Sequence, residues 1–295
     1  MSATLAILRA GPLTTIQDEG RFGMLRHGIS ASGPMDANSF GQAGQGGCGG
    51  IEFTLTGIEF RVASGTCRIG FAGGSFKLKI NGKRSDWPST TELQAGDLVA
   101  ITPGSAGNYG YLRFGTDMAI EPVLRSMSTS SRARVGGLDG RSLQAGDVVQ
   151  LGEQGTNQPR CIRKQDNEGP MRIVWGLHAD AFDPSVRQRF LQSSLVISTR
   201  MDRMGVRLDD PDSVFAGSTR LSLVSDAIVP GDIQILGDGT PIVLMRDHQP
   251  TGGYPRIATI ISADLDRFAQ IRPGSTIAFM PVTVEHAQQL LRSRL

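Results

Sequence analysis

Apolar and polar residues alternate with period two through much of the first half of the chain. In "FKLKING", Phe76, Leu78 and Ile80 face one way and Lys77 and Lys79 the other, which predicts a half-buried strand. Asn81-Gly82 then supplies the two left-handed residues of a tight hairpin turn. In "IEFTLTGIEFRV", Ile51, Phe53 and Leu55 alternate with Glu52, Thr54 and Thr56, and the pattern resumes after Gly57 with Ile58, Phe60 and Val62. A glycine inside such a pattern predicts either a half-buried strand pair or one strand bent at a barrel corner. One phrase recurs: "LQAGDLVAI" at 93–101, "LQAGDVVQL" at 143–151 and a looser "IRPGSTIAF" at 271–279. Each reads as a turn feeding an apolar strand, a structural device rather than a binding motif.

Between 152 and 170 the chain is polar, contains glycine and has no sustained period, so a linker is expected there, between an N-terminal β lobe over 1–151 and a C-terminal lobe over 171–295. The second lobe opens on an apolar strand, "RIVWGL". More strands follow in "SLVIS", "DIQIL", "PIVLM" and "STIAFMPV". Helical spacing of Val186, Phe190 and Leu191 predicts a short helix in "PSVRQRFLQ", and another is expected near "DLDRFAQI". The C-terminal segment carries Val284, Ala287, Leu290 and Leu291 on one stripe, with arginine in its last turn, as the helix dipole favours. The pattern therefore predicts a mainly β protein of two β-barrel lobes with few, short, peripheral helices.

Composition sharpens this. Glycine occurs 38 times in 295 residues, where average usage would give roughly 20, as expected for strands joined by many tight turns. The net charge is only +2 and arginine is scattered, which argues against a nucleic-acid surface. Cys48, Cys67 and Cys161 are odd in number and widely spaced, without a CxxC, so neither a disulfide framework nor a zinc site is expected. No metal and no membrane span are expected, and a cytoplasmic location fits the reduced cysteines and the missing signal-peptide pattern.

The chain has no GxxxxGK[ST] phosphate loop, no GxSxG elbow and no HExxH. What remains is polar clusters at turns that follow strands: "LTTIQDEGRFG" (13–23), "SASGPMD" (30–36), "STRMDRMGVRL" (198–208) and "DHQPTGGYP" (247–255). In the last, Asp247, Gln249 and Thr251 offer a carboxylate, an amide and a hydroxyl beside Gly252-Gly253, where backbone can approach a ligand or turn its N–H groups on an anion. Tyr254 and Pro255 could wall such a pocket. The set suits recognition of a small amide or carboxylate by directional hydrogen bonds, and it lacks an activated nucleophile.

Taken in order, "GPLTTIQDEGR", "SGPMD", "GGLDGRSLQAGD", "DRMGVRL", "GDIQILGDGTPIVLM" and "TGGYPRIATIISADLDRFAQIRPG" resemble the biotin-dependent carboxyltransferase, or allophanate hydrolase subunit 2, family. Its members include the C subunit of 5-oxoprolinase, KipA-type antagonists of a kinase inhibitor and part of the carboxyltransferase region of urea carboxylase. The resemblance runs from about residue 5 to about 280. Pro250 stands where the family carries a second threonine. The resemblance implies a cyclophilin-like β-barrel architecture. It also implies a partner subunit 1 of the KipI type (the type of the 5-oxoprolinase B subunit), a third hydrolase subunit, and ATP-dependent opening of 5-oxoproline to glutamate, the nucleotide being used by the complex.

On that reading Asp18 or Asp247 is the proton acceptor, Gln249 and Thr251 bind the amide, and Arg203 neutralises a carboxylate or phosphate. Gln17, Ser32, Asp36, Gly252, Gly253 and Tyr254 complete the substrate pocket. One alternative is carboxyl transfer to a urea-type acceptor, with biotin on a separate protein because no Ala-Met-Lys-Met context occurs here. Another is a non-catalytic, KipA-like binding role.

Overall fold

The computed structural model describes residues 2–155, 169–217 and 223–293. The chain forms two compact units, Met1–Gly23 with Ala31–Ile162, and Met24–Ser30 with Arg163–Leu295. The expected linker at 152–170 lies largely outside the described residues; its first residues continue the strand Val148–Gln154.

In the first unit a seven-stranded antiparallel sheet runs in the spatial order Thr116–Met118, Val148–Gln154, Ala3–Ala10, Ile58–Ser64, Leu98–Pro103, Phe76–Ile80, Lys83–Ser85. A five-stranded antiparallel sheet runs Thr15–Gln17, Gly50–Phe53, Gly110–Phe114, Thr66–Gly73, Ser89–Gln94. One hydrophobic cluster draws Leu5, Phe60, Leu78 and Ile101 from the first sheet and Ile51, Phe71, Leu112 and Phe114 from the second. The "IEFTLTGIEFRV" segment is where the chain passes from one sheet to the other. Gly50–Phe53 belongs to the five-stranded sheet and Ile58–Ser64 to the seven-stranded one. Gly57 makes the corner at φ +67°, where a Cβ would lie 2.0 Å from the Ile101 carbonyl oxygen. The "FKLKING" hairpin forms with Ile80 opposite Lys83, and Asn81 and Gly82 both take positive φ.

The repeated phrase is one hydrogen-bonded device used three times. The glycine N–H donates to a carbonyl of a neighbouring strand, and the N–H of that same strand residue donates back to the carbonyl after the glycine. The pairs are Gly96 and Asp97 with Val62, Gly146 and Asp147 with Ile7, and Gly274 and Ser275 with Ile197, at 2.8 and 2.9 Å in each case. In the first two copies the aspartate side chain also accepts from the N–H three residues back, at Gln94 and Gln144.

In the second unit an eight-stranded sheet is ordered Thr276–Ile277, Leu195–Met201, Gly205–Asp209, Pro241–Leu244, Asp232–Ile235, Arg256–Ile260, Met171–Trp175, Phe279–Pro281. Its two edge strands are separated in the chain by Ala278 alone, so the sheet curls almost into a closed barrel. Every neighbouring pair is antiparallel except the last, Met171–Trp175 with Phe279–Pro281. A helix, Pro184–Gln192, is capped by Asp183 and buries Phe190, whose ring stacks on Phe279 at 4.9 Å. Among the described residues, Leu265–Ala269 and Val284–Arg292 are the other α-helices of this unit. Among the described residues no helix is long and apolar enough to cross a membrane. The protein is mainly β, with two barrel-like units and few short helices, as the alternation predicts.

Candidate functional site

Alternation on the five-stranded sheet has a second consequence. Ile16, Ile51, Phe53, Leu112 and Phe114 point into the core, so Thr15, Gln17, Glu52, Tyr111 and Arg113 share the opposite face. Register sorts that face into two rows. Thr15 lies opposite Glu52 and Glu52 opposite Tyr111; Gln17 lies opposite Gly50 and Gly50 opposite Arg113. This face is buried as well: Gln17, Glu52 and Tyr111 are wholly inaccessible and Thr15 and Arg113 nearly so.

The cover comes from the segment before the helix Ala37–Gln42. Met35 N–H donates to the Glu52 carboxylate at 2.7 Å and Asp36 N–H to the Tyr111 hydroxyl at 2.8 Å. The Asp36 side chain caps the helix, accepting from Ser39 N–H and, at 2.6 Å, from Ser39 Oγ. Glycine crowds the run from 41 to 50 and disfavours helix, and this one lasts only from Ala37 to Gln42. The glycines of the sheet make room for it: a Cβ at Gly50 would lie 2.9 Å from the Phe40 ring, and one at Gly70 2.2 Å from the Ala43 carbonyl oxygen. Arg113 stacks its guanidinium 4.5 Å from the Phe40 ring centre and donates to the Gly47 carbonyl at 2.7 Å. Burial lowers the Arg113 pKa, against the pull of Glu19 and other nearby anionic groups. Burial foremost, then the Glu52 and Asp36 carboxylates, push the Tyr111 phenol well above its ordinary range, so it stays protonated and donates to Glu52.

Asp18, at the edge of this layer, collects four donors. Ser126 Oγ and Ser128 Oγ reach it at 2.6 Å, Met127 N–H at 2.6 Å and Gly20 N–H at 2.9 Å. Burial works against its charge, but these hydrogen bonds outweigh burial and hold the carboxyl below its ordinary value. The loop that supplies the serines is itself pinned by Arg21, which is fully buried and donates to the carbonyls of Val123, Ser126 and Ser128. Gln17 turns its amide nitrogen to Thr15 Oγ1 at 2.9 Å and to the Thr129 carbonyl at 3.3 Å.

In the second unit Arg203 and Asp247 form a buried pair, Nε to Oδ2 at 2.9 Å and Nη2 to Oδ1 at 3.3 Å. The Asp247 N–H also donates to the Arg203 carbonyl at 2.7 Å. His248 is buried beside it with Nδ1 2.6 Å from the Gln249 carbonyl, and burial lowers its pKa despite Asp232 and Asp247 nearby. Downstream, Thr251–Gly252 pairs with Asp226–Ala227 as a short ribbon. Buried Arg256 ties that ribbon down, Nη1 donating to the Ala227 carbonyl at 2.8 Å and Nη2 to the Asp226 carboxylate at 2.6 Å, while Asp232 lies 3.4 Å from Nη1. Neither Gly252 nor Gly253 has positive φ. A Cβ at Gly252 would lie 2.5 Å from Gln234 Nε2 and one at Gly253 3.0 Å from the Leu223 carbonyl oxygen, so these glycines admit close neighbours. Thr251 is exposed, Gln249 half-buried and Tyr254 44% exposed.

The expected residues thus fall into two sets. Gln17, Asp18, Ser32 and Asp36 belong to the first unit, and Arg203, Asp247, Gln249, Thr251, Gly252, Gly253 and Tyr254 to the second. Reading by motif passed over Glu52, Tyr111, Arg113, Ser126 and Ser128, and also Arg256 with Asp226 and Asp232. Alternation in "IEF" and "YLRF" carried the signal for the first three, since polar residues sit there between core positions. A separate cavity of about 560 Å³ in the first unit, beside Gln45, Cys67, Arg68, Glu92, Asp97 and Thr116, contains none of the expected residues. Burial, with Asp97 beside it, pushes the Cys67 thiol up to about 11, which keeps it protonated and unreactive. Among the described residues no group of three or more His, Cys, Asp or Glu could hold a metal ion.

Residues 27–281 match the family model of the carboxyltransferase domain, subdomains A and B. The chain belongs to that family. This carboxyltransferase-domain chain is 32% identical to the C subunit of 5-oxoprolinase from Escherichia coli over 96% of its own length and 93% of the relative's. It is 29% identical to the urea amidolyase of Lachancea kluyveri over 96% of its length, which spans only 17% of that larger protein. The crystal structure of the K. lactis urea amidolyase superposes with a TM-score of 0.87 over 99% of this chain and 19% of that one, at 24% identity, and shares its fold.

Proposed function

We propose that this chain is the C subunit of an ATP-dependent, cytoplasmic amide or lactam hydrolase that opens 5-oxoproline to glutamate together with partner subunits. The observation that carries the reading is near full-length similarity, in both directions, to the C subunit of a 5-oxoprolinase. The chemistry of the chain supports it. Its buried polar layers offer amide, hydroxyl and carboxylate groups for orienting a small amide. Two separate sets of candidate binding groups follow, Gln17, Ser32 and Asp36 within the first unit and Gln249, Thr251, Gly252, Gly253 and Tyr254 within the second. Asp18, with four donors and a lowered pKa, organises the serine loop. In the second unit's set Asp247, held in place by Arg203, takes the role of proton acceptor.

ATP supplies activation of the amide oxygen in the complex, and no phosphate cradle on this chain is invoked for it. Arg203 is engaged by Asp247, and Gly252-Gly253 faces Gln234 and Leu223. The partners are a subunit 1 of the KipI type, equivalent to the 5-oxoprolinase B subunit, and a third hydrolase subunit. The test is reconstitution with those partners: glutamate should accumulate from 5-oxoproline only with ATP and only when this chain is present. Glutamate release at an unchanged rate without the chain would sink the proposal. Similarity to a urea amidolyase favours a second reading, carboxyl transfer to urea. Co-purification of a biotinylated protein, with no 5-oxoproline turnover, would move the assignment there.

A further inference from the structure

Gln17 is wholly buried, and its carbonyl oxygen Oε1 has no hydrogen-bond partner. The amide cannot simply be turned over. Its nitrogen faces the Thr129 carbonyl, which only accepts, so the oxygen must point away from that contact. A buried acceptor left unpaired is costly, and native structures keep few of them without a reason. Ser32 presents a second case: its Oγ is buried and unpartnered, and its backbone is held at φ +55°, a conformation that costs a non-glycine residue free energy and gathers at ligand-binding positions. The backbone that follows Gln17 runs beside the segment that carries Ser32. A Cβ at Gly20 would lie 3.0 Å from the Ala31 carbonyl oxygen and 3.4 Å from that of Ser32, while one at Gly33 would lie 3.1 Å from the Glu19 carbonyl oxygen. The segment that follows Ser32 is the one fixed across the sheet face by Glu52 and Tyr111.

One unpaired acceptor and one hydroxyl free to donate form a complementary set for a group with an N–H and a C=O on the same edge. A lactam is such a group, because its ring forces the amide to be cis; urea also presents both. We propose that this layer reads the cis-amide edge of the substrate, Gln17 Oε1 accepting its N–H and Ser32 Oγ donating to its C=O. The inference rests on the hydrolase reading above and moves amide recognition from Gln249 and Thr251 to Gln17 and Ser32. Both atoms are sealed in the unliganded chain, so the substrate enters with the Ser32–Asp36 segment displaced.

The test compares 5-oxoproline with the matching lactone, 5-oxotetrahydrofuran-2-carboxylate, in which ring oxygen replaces the N–H. Binding of both to the reconstituted complex is measured for the wild type, Gln17→Met and Ser32→Ala. The wild type should prefer the lactam by about tenfold or more, the worth of one buried hydrogen bond. Gln17→Met should bring the lactam down to the lactone's level. Ser32→Ala should weaken both ligands alike by about tenfold, since both keep the C=O, and should leave the melting temperature level or slightly raised because the lost hydroxyl has no partner. An equal lactam-to-lactone ratio in wild type and Gln17→Met, in a complex that opens 5-oxoproline, overturns this inference alone. So does unchanged binding in Ser32→Ala, which would mean that the buried atoms hold only water. A wild-type complex that neither binds nor opens 5-oxoproline overturns the hydrolase reading and this inference together.

Discussion

Asp18 and Asp247 carry the same side chain in different company. Asp18 is held by neutral donors, two hydroxyls and two backbone N–H groups, whereas Asp247 is held by a guanidinium. The Asp18 carboxyl lies below its ordinary value of 3.8 when folded, so the unfolded chain takes up its proton first as pH falls. Its contribution to stability is therefore complete above about pH 4 and is lost as pH drops through the folded value. Acid unfolding monitored in mild urea should show that loss, and Asp18→Asn should flatten it while costing about 2 kcal/mol at neutral pH. His248 acts at higher pH with the same sign. Its folded pKa is lowered from 6.5, so its contribution is complete above about pH 6.5 and declines as pH falls below that. His248→Gln should remove that slope from a stability profile taken between pH 7 and 5. Removing Asp247 takes the carboxylate partner from a buried guanidinium. Asp247→Ala should thus cost about 3 kcal/mol of stability in addition to any loss of turnover, and the double variant with Arg203→Met should recover part of it.

At the scale of elements, the turns show how far local sequence reaches. Gly57 and Gly96 both have positive φ, yet their surroundings differ. A Cβ at Gly57 meets the Ile101 carbonyl oxygen at 2.0 Å, and one at Gly96 meets nothing within 4 Å. Gly57→Ala should cost more than about 3 kcal/mol because the sheet-to-sheet corner has to open, and Gly96→Ala only about 1 kcal/mol from backbone strain. Denaturant unfolding of the two variants side by side measures the difference. Period-two segments such as Phe76–Ile80 were legible because one face meets core and the other water. Thr15–Gln17 was not legible as a strand, since three residues are too few to show a period. The helix Ala37–Gln42 sits in a stretch too rich in glycine to read as one and depends on Asp36 and on the face it covers.

At the scale of the whole molecule, membership of the carboxyltransferase-domain family was legible from ordered motifs, because turn glycines and polar clusters keep their order along the chain. The short segment Met24–Ser30 belongs to the second unit although its chain neighbours on both sides belong to the first, and no local pattern marks that exchange. If the chain acts within a hydrolase complex, its loss should abolish ATP-dependent glutamate release while the remaining subunits still purify, which reconstitution with and without it would measure. By itself the sequence determined the mainly β class, the hairpin and the repeated glycine turns, because each follows from contacts within a few residues. Only the tertiary structure decided that Thr15, Glu52 and Tyr111 form one row and Gln17, Gly50 and Arg113 the next, that Asp18 is saturated by a loop more than a hundred residues away, and that Asp247 is closed by Arg203. The physical reason is register. Which side chains share a buried face is set by how distant strands align, and no stretch of sequence records that alignment by itself.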